Sequence, residues 1–481
     1  MKQDWKPQHP LPEPAVDLEL SAENMRHITS TAMEHAIEYV QALPEMPASD
    51  LEGAQELAAG FREPLPEKGQ EFDALLPRLG AAARKGFNAP GPGYLAFIPA
   101  GGVYPSAVGD FLSLAYNRYV GVWNPSPPFV QLELTVLDWI RDLIGFPRGG
   151  SGLLTSGGSL SNLIGIVTAR RNRLPENFLD GIIYTSAETH HCVAKAALLA
   201  GFPERNVRYV AVDERLRLRA DALRTAIEAD RANGLTPFLV VSNAGTTNTG
   251  AIDPTPAIAD VCDEFGLWLH VDAAYGGFFR MIEGGQDLLP GLERADSIVL
   301  DPHKGMFIPY GTGCLLVRDA EALRRAHQLH ADYMQDLQLP EGEVNFSDIS
   351  PELSREFRGL RVWLPLKLYG AAAIRDNLRE KLQLAHWAAR ELKSAPGFEL
   401  VDEPQLSVVP FRYRPQNGDI NAFNRRLLEA VNARQRVFLT STLVDGDYVL
   451  RIAALSFRTH ASIMIAALED LVGVARELDR D

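Results

Sequence analysis

The sequence predicts an α/β protein whose largest domain contains a mostly parallel β-sheet. Short, wholly apolar runs alternate with helical patterns through the middle of the chain. Strands that are apolar on both faces are typical of a parallel sheet covered by helices on both sides. After Trp363 the pattern changes to long helices with two further β runs, which predicts a smaller α/β domain at the C-terminus.

The first predicted element is an amphipathic helix from Ser21 to Leu43. Apolar side chains recur there at three- and four-residue steps, Ser21 is a suitable N-cap, and Pro44 ends the pattern. Farther along, the segment from Gly91 to Pro105 is too rich in Gly and Pro for a regular element, yet it carries several aromatic residues. Long irregular segments of this kind are often functional.

The middle of the chain supplies the strands and helices of the predicted sheet. The strands are the apolar runs Leu153–Leu154, Ile182–Tyr184, Phe238–Val241, Leu267–Val271 and Ile298–Leu300. The helices between them are Leu163–Arg171, Cys192–Leu199, Ala220–Ala232 and Pro256–Phe265, with Gly201 and Gly266 at the expected helix ends. The C-terminal part adds β runs at Gln405–Phe411 and Tyr448–Leu455 and a last helix, Ser462–Leu478. We therefore expect an N-terminal helical segment (1–90), a large domain (91–364) and a small domain (365–481).

The charge of the chain limits its partners. Of the 481 residues, 62 are acidic and 47 are basic, which gives a net charge of −15. An acidic surface repels nucleic acid and anionic lipid, so neither is expected as the main partner. With 46% apolar and 23% charged residues, the composition is that of a globular protein rather than a disordered or fibrous one.

The cysteines and the apolar runs bear on where the protein resides. Cys192, Cys262 and Cys314 are far apart and form no CxxC pair, so neither a disulfide framework nor a zinc site is expected. The N-terminal residues lack the apolar core of a signal peptide, and no run approaches the ~20 apolar residues that a membrane helix needs. We therefore expect a cytoplasmic protein without a metal site.

Polar residues follow the ends of the predicted strands. In an open α/β sheet, ligands bind beyond the carboxyl ends of the strands, so these residues are expected to meet at one edge. In chain order they are the segments Thr155–Asn162 (TSGGSLSN), Ser186–His190 (SAETH), Asn243–Thr247 (NAGTT), Asp272–Tyr275 (DAAY) and Asp301–Lys304 (DPHK). A Gly/Ser loop, a histidine, a threonine, an aspartate and a lysine would thus surround one site.

Each of these residues also has an ordinary structural explanation. A Gly-Gly-Ser turn offers free N–H groups and a helix dipole to an anion, but most such turns only begin a helix. Asp272 either caps the next helix or holds the N–H of a pyridinium ring, and His190 is either a core residue or a ligand contact. Most lysines in turns are solvated, whereas Lys304 follows a buried strand. The combination, more than any single residue, indicates a binding site.

Other kinds of site lack their motifs. The sequence contains no GxxxxGK[ST] P-loop and no GxGxxG that opens a βαβ unit, so a nucleotide site is not expected. Gly157–Ser161 (GGSLS) is close to the GxSxG nucleophile turn but ends in serine instead of glycine.

Together the motifs resemble those of the pyridoxal-phosphate-dependent group II decarboxylases, and most closely the aromatic-L-amino-acid decarboxylases. The matching segments include SAETH at 186–190, GTT at 245–247, HVDAAY at 270–275 and DPHK at 301–304, in this order and spacing. The resemblance implies the aspartate-aminotransferase-like fold (PLP fold type I), with a seven-stranded sheet in the large domain. It also implies a homodimer with the active site at the interface.

The resemblance further implies a role for each site residue. Lys304 would bind the aldehyde of pyridoxal 5'-phosphate as a Schiff base, Asp272 would keep the pyridine nitrogen protonated, and His190 would stack on the ring. The rest of the cofactor shell would be Gly158, Ser159, Thr246, Ala274, Ser297, Asp301 and His303. The expected reaction is decarboxylation of an L-amino acid to an amine and CO2, with the pyridinium ring as electron sink.

The resemblance also places aromatic residues at the substrate pocket. They are Tyr94, Phe97, Tyr119 and Trp123, which suit an aromatic substrate; their alternative role is to pack the domain core. The segment from Gly91 to Tyr104 has no cationic residue that could bind a second carboxylate, which disfavours glutamate as the substrate.

One difference from the family concerns a loop tyrosine that protonates the substrate carbon after CO2 leaves. A gap-free count back from Phe357–Trp363 (FRGLRVW) reaches Phe346 at that position, and the nearest upstream tyrosine is Tyr333. Tyr333 is the candidate donor, because a phenol with a pKa near ~10 holds its proton at neutral pH; the alternative is that Tyr333 is only a solvated loop residue. If Phe346 occupies the position, the alternative reaction is oxidative decarboxylation–deamination to an aromatic aldehyde. Decarboxylation of an acidic or other non-aromatic amino acid is a further alternative.

Overall fold

The computed structural model describes residues 18–329 and 342–480, which belong to two compact units. The first unit comprises residues up to Met46 together with Leu51–Gly86, and the second comprises Pro47–Asp50 together with Phe87 onward. The second unit spans the residues of both the large and the small domain expected from the sequence and is not divided between them. The three-domain division at residues 90 and 364 stays a prediction.

The regular elements are numbered in chain order. The helices are α1 (Ala22–Ala42), α2 (Ala54–Gly60), α3 (Phe72–Ala83), α4 (Tyr104–Tyr116), α5 (Pro127–Ile144), α6 (Gly158–Arg173), α7 (Cys192–Leu199), α8 (Ala220–Ala232), α9 (Thr255–Phe265), α10 (Gly285–Leu288), α11 (Pro302–Gly305), α12 (Ala320–His327), α13 (Gly359–Ser394), α14 (Ile420–Ala433) and α15 (Ala461–Leu478). The strands are β1 (Ser49–Asp50), β2 (Gly86–Phe87), β3 (Ser151–Thr155), β4 (Gly181–Ser186), β5 (Val207–Val210), β6 (Thr236–Asn243), β7 (Trp268–Asp272), β8 (Ser297–Leu300), β9 (Gly313–Val317), β10 (Phe398–Leu400), β11 (Val408–Tyr413), β12 (Thr440–Val444) and β13 (Asp447–Ala453).

The first unit contains the predicted N-terminal helix. The Ser21 hydroxyl accepts a hydrogen bond from the Asn24 N–H at 3.1 Å, which confirms Ser21 as the N-cap of α1. Within the same unit, α3 packs closely on α1 at Gly80, because a Cβ added at Gly80 would lie 2.6 Å from the His35 ring.

The second unit is built around a seven-stranded sheet in the order β3-β9-β8-β7-β6-β4-β5. β9 runs antiparallel to both of its neighbours, and the other pairs are parallel, so the predicted, mostly parallel sheet is confirmed. Every residue of β4, β7, β8 and β9 is buried, as expected for strands covered on both faces. The carboxyl ends of β3, β4, β6, β7 and β8 therefore lie at one edge of the sheet.

The C-terminal part of the second unit forms a smaller antiparallel sheet in the order β10-β11-β13-β12. It packs with α13, α14 and α15 around a separate group of buried side chains. Gly370, with φ 75° and ψ 160°, interrupts α13, so the chain changes direction there while α13 continues toward the small sheet. Among the described residues, no helix is long and apolar enough to cross a membrane.

Candidate active site

The polar residues that follow the strands meet in one cavity at the carboxyl edge of the large sheet. The cavity has a volume of about 390 Å³. Its walls come from the segments that follow β3, β4, β6, β7 and β8. Of the predicted site residues, those that line it are Gly158, Ser159, His190, Thr246, Asp272, Ala274, Asp301, His303 and Lys304.

The amine of Lys304 is paired with a buried carboxylate. Lys304 Nζ lies 3.0 Å from Asp301 Oδ2, and the Asp301 side chain is only 3% exposed. Burial lowers the pKa of the Lys304 amine, but the nearby carboxylates of Asp301 and Asp272 raise it by more, so the net direction is upward. In the cofactor-free protein this amine is therefore protonated at neutral pH.

His303 lies next to the Asp301 carboxylate, and its hydrogen bonds define which ring nitrogen carries the proton. Its Nδ1 is 2.7 Å from the backbone oxygen of Thr312, and a carbonyl oxygen only accepts hydrogen bonds, so Nδ1 carries the proton. Burial lowers the pKa of His303, which keeps the ring neutral at neutral pH. Its Nε2, 3.6 Å from Asp301 Oδ2, is then the hydrogen-bond acceptor that this ring offers to the cavity.

Asp272 ends β7, and its carboxylate is held from two sides. Oδ1 accepts a hydrogen bond from the Ala274 N–H at 3.1 Å, and Oδ2 accepts one from the Asn162 amide at 3.1 Å. The residue is buried, with 8% of its surface exposed. Because each carboxylate oxygen has two lone pairs, the fixed group can still accept a hydrogen bond from the cavity.

His190 follows β4 and presents a second imidazole to the cavity. Burial lowers the pKa of His190, and the neighbouring His191 lowers it further. Nδ1 of the neutral ring accepts a hydrogen bond from the Cys192 N–H at 3.3 Å, so Nε2 carries the proton. The two histidine rings are 4.3 Å apart, but His191 is exposed and is not part of the cavity wall.

The Gly-Gly-Ser turn begins α6, and the first N–H groups of this helix lie at the cavity wall. Gly157 is the N-cap, has φ 152° and offers no side-chain cap. The first N–H groups of a helix have no partner within the helix, so they can bind an anion. A Cβ added at Gly158 would lie 2.9 Å from Asp301 Oδ2 and 3.3 Å from the Ala274 Cβ. Only glycine lets the turn approach Asp301 this closely.

Ser297 has a different position from the one expected. It is the first residue of β8, whereas the cavity lies beyond the last residue, and it is absent from the cavity wall. Its hydroxyl contacts the His270 ring and the Trp268 indole instead. A direct contact between Ser297 and the cofactor is therefore not supported, because the length of the strand separates the two.

The aromatic residues expected at the substrate pocket lie outside the cavity wall of this single chain. Tyr94 is buried and stacks on Phe438 with ring centroids 5.9 Å apart; burial, and then the nearby Tyr310, raises the pKa of its phenol to about 12. Phe97 is 53% exposed and has a positive φ of 52°, so its ring projects from the irregular segment.

The remaining expected aromatics contact the chain around residue 350. The Tyr119 hydroxyl donates to the Leu353 carbonyl at 3.0 Å. The backbone N–H of Trp123 donates to Asn345 Oδ1 at 2.9 Å. Phe346 is fully buried beneath the guanidinium group of Arg355, 4.4 Å from the ring centroid. Tyr333 lies outside the described residues.

Several cavity residues were not among the predicted site residues, and two of them, Asn162 and Tyr310, matter for the account. Asn162 lies one turn into α6 and joins the helix to Asp272; its signal was a polar residue directly before the apolar part of the helix. Tyr310 lines the cavity and is 65% exposed, and no pattern in the loop after α11 indicated it.

The sequence matches a known family over most of its length. Residues 56–414 match the family model described as the pyridoxal-dependent decarboxylase conserved domain. The chain belongs to this family. The aromatic-L-amino-acid decarboxylase of Bacillus atrophaeus is 35% identical to this decarboxylase over 96% of this chain and 98% of that protein.

Solved structures agree with the assignment. The crystal structure of Oryza sativa TDC with PLP and tryptamine matches this decarboxylase with a TM-score of 0.91 and 27% identity, over 96% of this chain and 99% of that one. The Catharanthus roseus tryptophan decarboxylase in complex with L-tryptophan matches with a TM-score of 0.88 and 27% identity, over 96% and 100% of the chains. The protein is a PLP-dependent amino-acid decarboxylase with the expected fold.

The cavity fits pyridoxal phosphate. The cofactor carries an aldehyde, a basic ring nitrogen and a phosphate, which require an amine, a carboxylate and an anion site. Lys304, Asp272 and the start of α6 supply these groups at one strand edge. The buried Oδ1 of Asp301 has no hydrogen-bond partner within the described part of the chain, so the cavity also has a polar atom left for a bound group. Within those residues, no group of three or more His, Cys, Asp or Glu side chains could hold a metal ion.

Proposed function

We propose that this decarboxylase converts an aromatic L-amino acid to the corresponding amine and CO2. The observation that carries the proposal is the meeting of Lys304 and Asp272 in one cavity of a chain that belongs to the pyridoxal-dependent decarboxylases. The choice of an aromatic substrate is supported by the relatives, whose names and bound ligands are those of aromatic-amino-acid decarboxylases.

The proposed roles follow from the chemistry of the side chains. When bound, pyridoxal phosphate takes up the electron pair that remains as the carboxylate leaves. Lys304 would provide the amine that holds the aldehyde of the cofactor, and Asp301 keeps that amine in place. Asp272 keeps a proton on the ring nitrogen, because a fixed carboxylate stabilises the positive charge there.

The other cavity residues hold and shield the cofactor in this proposal. The N–H groups of Gly158 and Ser159 bind the phosphate, with the side chains of Thr246 and His303 completing the polar shell. The neutral His190 ring would stack on the cofactor ring, and Ala274, which lines the same cavity, would pack against it.

The charges of the cavity favour a substrate without a second carboxylate. Among the described residues that line it, Lys304 is the only side chain that is cationic at neutral pH, and it faces both Asp272 and Asp301. A glutamate or aspartate side chain would find no partner in this wall, and burying an unpaired carboxylate is costly. An aromatic side chain avoids that cost.

The amine, rather than an aldehyde, is the proposed product. The aldehyde alternative depends on Phe346 at the position of the loop tyrosine, yet Phe346 is fully buried under Arg355. A side chain packed there does not reach the cavity, so its identity does not decide how the substrate carbon is protonated. Tyr333 stays the candidate proton donor.

A substrate panel tests the proposal. Purified protein reconstituted with pyridoxal phosphate is incubated with L-tryptophan, L-tyrosine, L-DOPA, L-phenylalanine and L-glutamate, and CO2, amine, ammonia and oxygen uptake are measured together. We expect CO2 and amine in equal amounts from at least one aromatic amino acid, without oxygen uptake. Equal amounts of aldehyde, ammonia and peroxide would establish the oxidative reaction, and turnover of glutamate alone would overturn the substrate class.

We also infer that the enzyme acts as a homodimer with the cavity at the interface. Helix α4 exposes large apolar side chains: Phe111 and Leu114, three residues apart on one face, are 50% and 72% exposed, and Tyr116 at the end of the helix is 52% exposed. Tyr310, on the cavity wall, is 65% exposed as well. Apolar patches of this kind mark interaction surfaces, and the missing substrate-pocket aromatics are then supplied or positioned by a second copy.

Sedimentation velocity of the holoenzyme tests the dimer. We expect the wild-type enzyme to sediment as a dimer. The Leu114→Asp variant should sediment as a monomer and should have lower turnover. Leu199→Asp is the matched control, because Leu199 is similarly exposed, at 66%, on a different helix, α7. A monomeric wild-type enzyme with full turnover would contradict the inference.

The free cysteines support the proposed cytoplasmic location. Cys192, Cys262 and Cys314 are all buried and unpaired in disulfides. Burial raises the pKa of the Cys192 thiol to about 12, with Asp272 adding to the shift, so the thiol beside the cofactor site stays protonated and unreactive. Fractionation of the native host should recover the activity with a cytoplasmic marker; recovery with an extracytoplasmic marker would contradict this.

A further inference from the structure

A line of buried polar side chains leads away from Asp272 into the interior of the sheet. Asn162 Nδ2 lies 3.1 Å from Asp272 Oδ2, and Asn162 Oδ1 lies 3.0 Å from His270 Nε2. On the other side of the ring, His270 Nδ1 lies 2.6 Å from Ser297 Oγ, which in turn accepts the indole N–H of Trp268 at 2.8 Å. Four side chains therefore connect the Asp272 carboxylate to the opposite end of β7 and β8.

The direction of every hydrogen bond in this line is determined. The Asn162 NH2 group faces Asp272 Oδ2 and the Gly158 carbonyl, with Cys192 Sγ as a weaker third acceptor at 3.5 Å, so the amide oxygen must face His270. His270 Nε2 therefore carries a proton. Burial lowers the pKa of His270 to about 4, so the ring is neutral and Nδ1 accepts the Ser297 hydroxyl.

Burying these polar side chains in the core costs free energy, so packing alone does not explain their presence. Asn162, His270 and Ser297 are all 0% exposed, and each could be replaced by an apolar residue if only packing mattered. α6 makes room for the ring at Gly165, where an added Cβ would lie 2.6 Å from His270. Of the side chains in the line, Asn162 and Asp272 reach the cavity, and Asp272 bears the charge. The remaining members thus act on the site through Asn162.

We propose that Asn162, His270 and Ser297 are positioning residues that hold the Asp272 carboxylate in one orientation toward the cofactor ring. Asn162 Oδ1 accepts from His270 Nε2, and the Ser297 hydroxyl, which also accepts from Trp268, donates to Nδ1. The ring held in this tautomer holds the Asn162 amide in turn, and the NH2 group of the amide binds Asp272 Oδ2. The inference rests on the proposed function only in that Asp272 is taken as the partner of the ring nitrogen. It also gives Ser297 a role, through His270, in place of the direct cofactor contact.

The first test uses cofactor-free protein and does not depend on activity. In ¹⁵N-labelled protein, NMR should show His270 as the neutral tautomer with the proton on Nε2. Ser297→Ala removes the donor to Nδ1, so the ¹⁵N shift of Nδ1 should move to that of an imidazole nitrogen without a hydrogen bond. Ser242→Ala is the matched control: Ser242 is also 0% exposed, lies on the adjacent strand β6 and bonds Thr255 instead. A proton on Nδ1 in the wild type would overturn the inference.

The second test reads the ring nitrogen directly. Pyridoxal phosphate labelled with ¹⁵N at the ring is bound to the wild type and to Asn162→Ala, Ser297→Ala and Ser242→Ala, each checked for an unchanged Tm. We expect Asn162→Ala to weaken cofactor binding about tenfold, at the lower end of what losing an orienting partner costs, and to move the ¹⁵N shift toward the unprotonated ring. Ser297→Ala should act in the same direction with a smaller effect, and Ser242→Ala should have none.

The outcomes separate the two proposals. Unchanged affinity and ¹⁵N shift in a folded Asn162→Ala would overturn the positioning role, whatever the enzyme decarboxylates. If Asn162→Ala does not fold, Ser297→Ala decides in the same way, because it removes only one hydroxyl. A response of the ¹⁵N shift without CO2 release from any aromatic amino acid would instead leave the positioning role standing and overturn the proposed substrate class.

Discussion

The strand-end residues come together in one cavity of this structure, whereas the aromatics expected at the substrate pocket do not. Lys304, Asp301, Asp272 and the Gly158 turn converge in one cavity within a single chain. The aromatics expected at the substrate pocket are either packed in the interior, as Phe346 is, or exposed, as Phe97 is. The cavity proposed to hold the cofactor is thus lined by strand-end residues of one copy, whereas the aromatics expected at the substrate pocket do not line it.

The difference has a structural cause. A residue that directly follows a parallel strand can only lie at the carboxyl edge of the sheet, so its sequence position determines its place. A residue in an irregular segment such as 91–103 has no such constraint. Changes to the strand-end residues should therefore affect the cofactor and the reaction itself, and changes at the exposed cavity wall should affect substrate binding.

Removing the amine should have the largest effect. We expect Lys304→Ala to lower turnover by at least about a thousandfold, because the nucleophile that binds the cofactor and exchanges it with the substrate is lost. Lys195→Ala, on α7 outside the cavity wall, is the control and should keep wild-type turnover. Steady-state kinetics with saturating cofactor measures both; a Lys304→Ala enzyme with more than a tenth of wild-type turnover contradicts the assignment.

Neutralising the carboxylate at the end of β7 should come next. Asp272→Asn keeps the shape and the contact with Asn162 but loses the charge that stabilises a proton on the ring nitrogen. We expect kcat to fall by about a hundredfold, equivalent to roughly 3 kcal/mol of barrier, with a smaller change in KM. A kcat within threefold of wild type would mean that the ring nitrogen needs no carboxylate here.

The neutral histidine beneath the site should make the protein sensitive to acid. The pKa of His270 is lowered to about 4, below its unfolded value of 6.5, so between these values the unfolded chain binds the proton and the folded one does not. Stability is therefore lost as the pH falls through this window, by about 2 kcal/mol between pH 7 and pH 5 for this one group.

Urea denaturation of the cofactor-free protein at both pH values measures this loss, and His270→Gln should reduce it by that amount. His27→Gln, which changes an exposed histidine of the first unit, should leave it unaltered. An equal loss in the wild type and in His270→Gln would contradict a neutral buried His270.

A methyl group at the Gly158 turn should have a moderate effect on the cofactor alone. Because the added Cβ would lie 2.9 Å from Asp301 Oδ2, Gly158→Ala must displace either the turn or the carboxylate. We expect cofactor affinity to fall about tenfold with little change in the KM for the amino acid. Gly60→Ala is the control, since its Cβ would meet only Arg78 at 4.0 Å, and it should bind the cofactor normally.

The smallest effect is expected at the exposed wall. Tyr310→Ala should raise KM for the aromatic substrate about threefold while kcat and cofactor affinity stay near wild type, since one partly solvated contact contributes little. The comparison would fail if Tyr310→Ala lowered kcat as strongly as Asp272→Asn, because the wall would then take part in the reaction.

Much of the fold and of the candidate site could be predicted because the sequence pattern of a buried strand also determines where the residues after it lie. The apolar runs at β4, β6, β7 and β8 could only be covered strands, and α7 and α8 have the predicted bounds. The short strand β5 and the antiparallel β9 were not predicted. Nothing in a five-residue apolar run such as Gly313–Val317 distinguishes an antiparallel strand from a parallel one.

The parts that could not be predicted depend on contacts between distant segments. Asn162 meets Asp272 only because α6 crosses the sheet above β7, and Ser297 meets His270 only through the register of β7 and β8. Phe346 was aligned by counting residues through a loop. Its burial under Arg355 results from tertiary packing, which a count of residues does not reveal. Residues placed by tertiary contacts need the structure.

The measurement that tests the central claim most directly is the position of the covalently bound cofactor. The wild-type holoenzyme is reduced with borohydride, digested, and the modified peptide is identified by mass spectrometry. The account predicts one equivalent of pyridoxyl group per chain, on Lys304, the cavity lysine paired with Asp301. A pyridoxyl group on any other lysine, or none after full reconstitution, would contradict it.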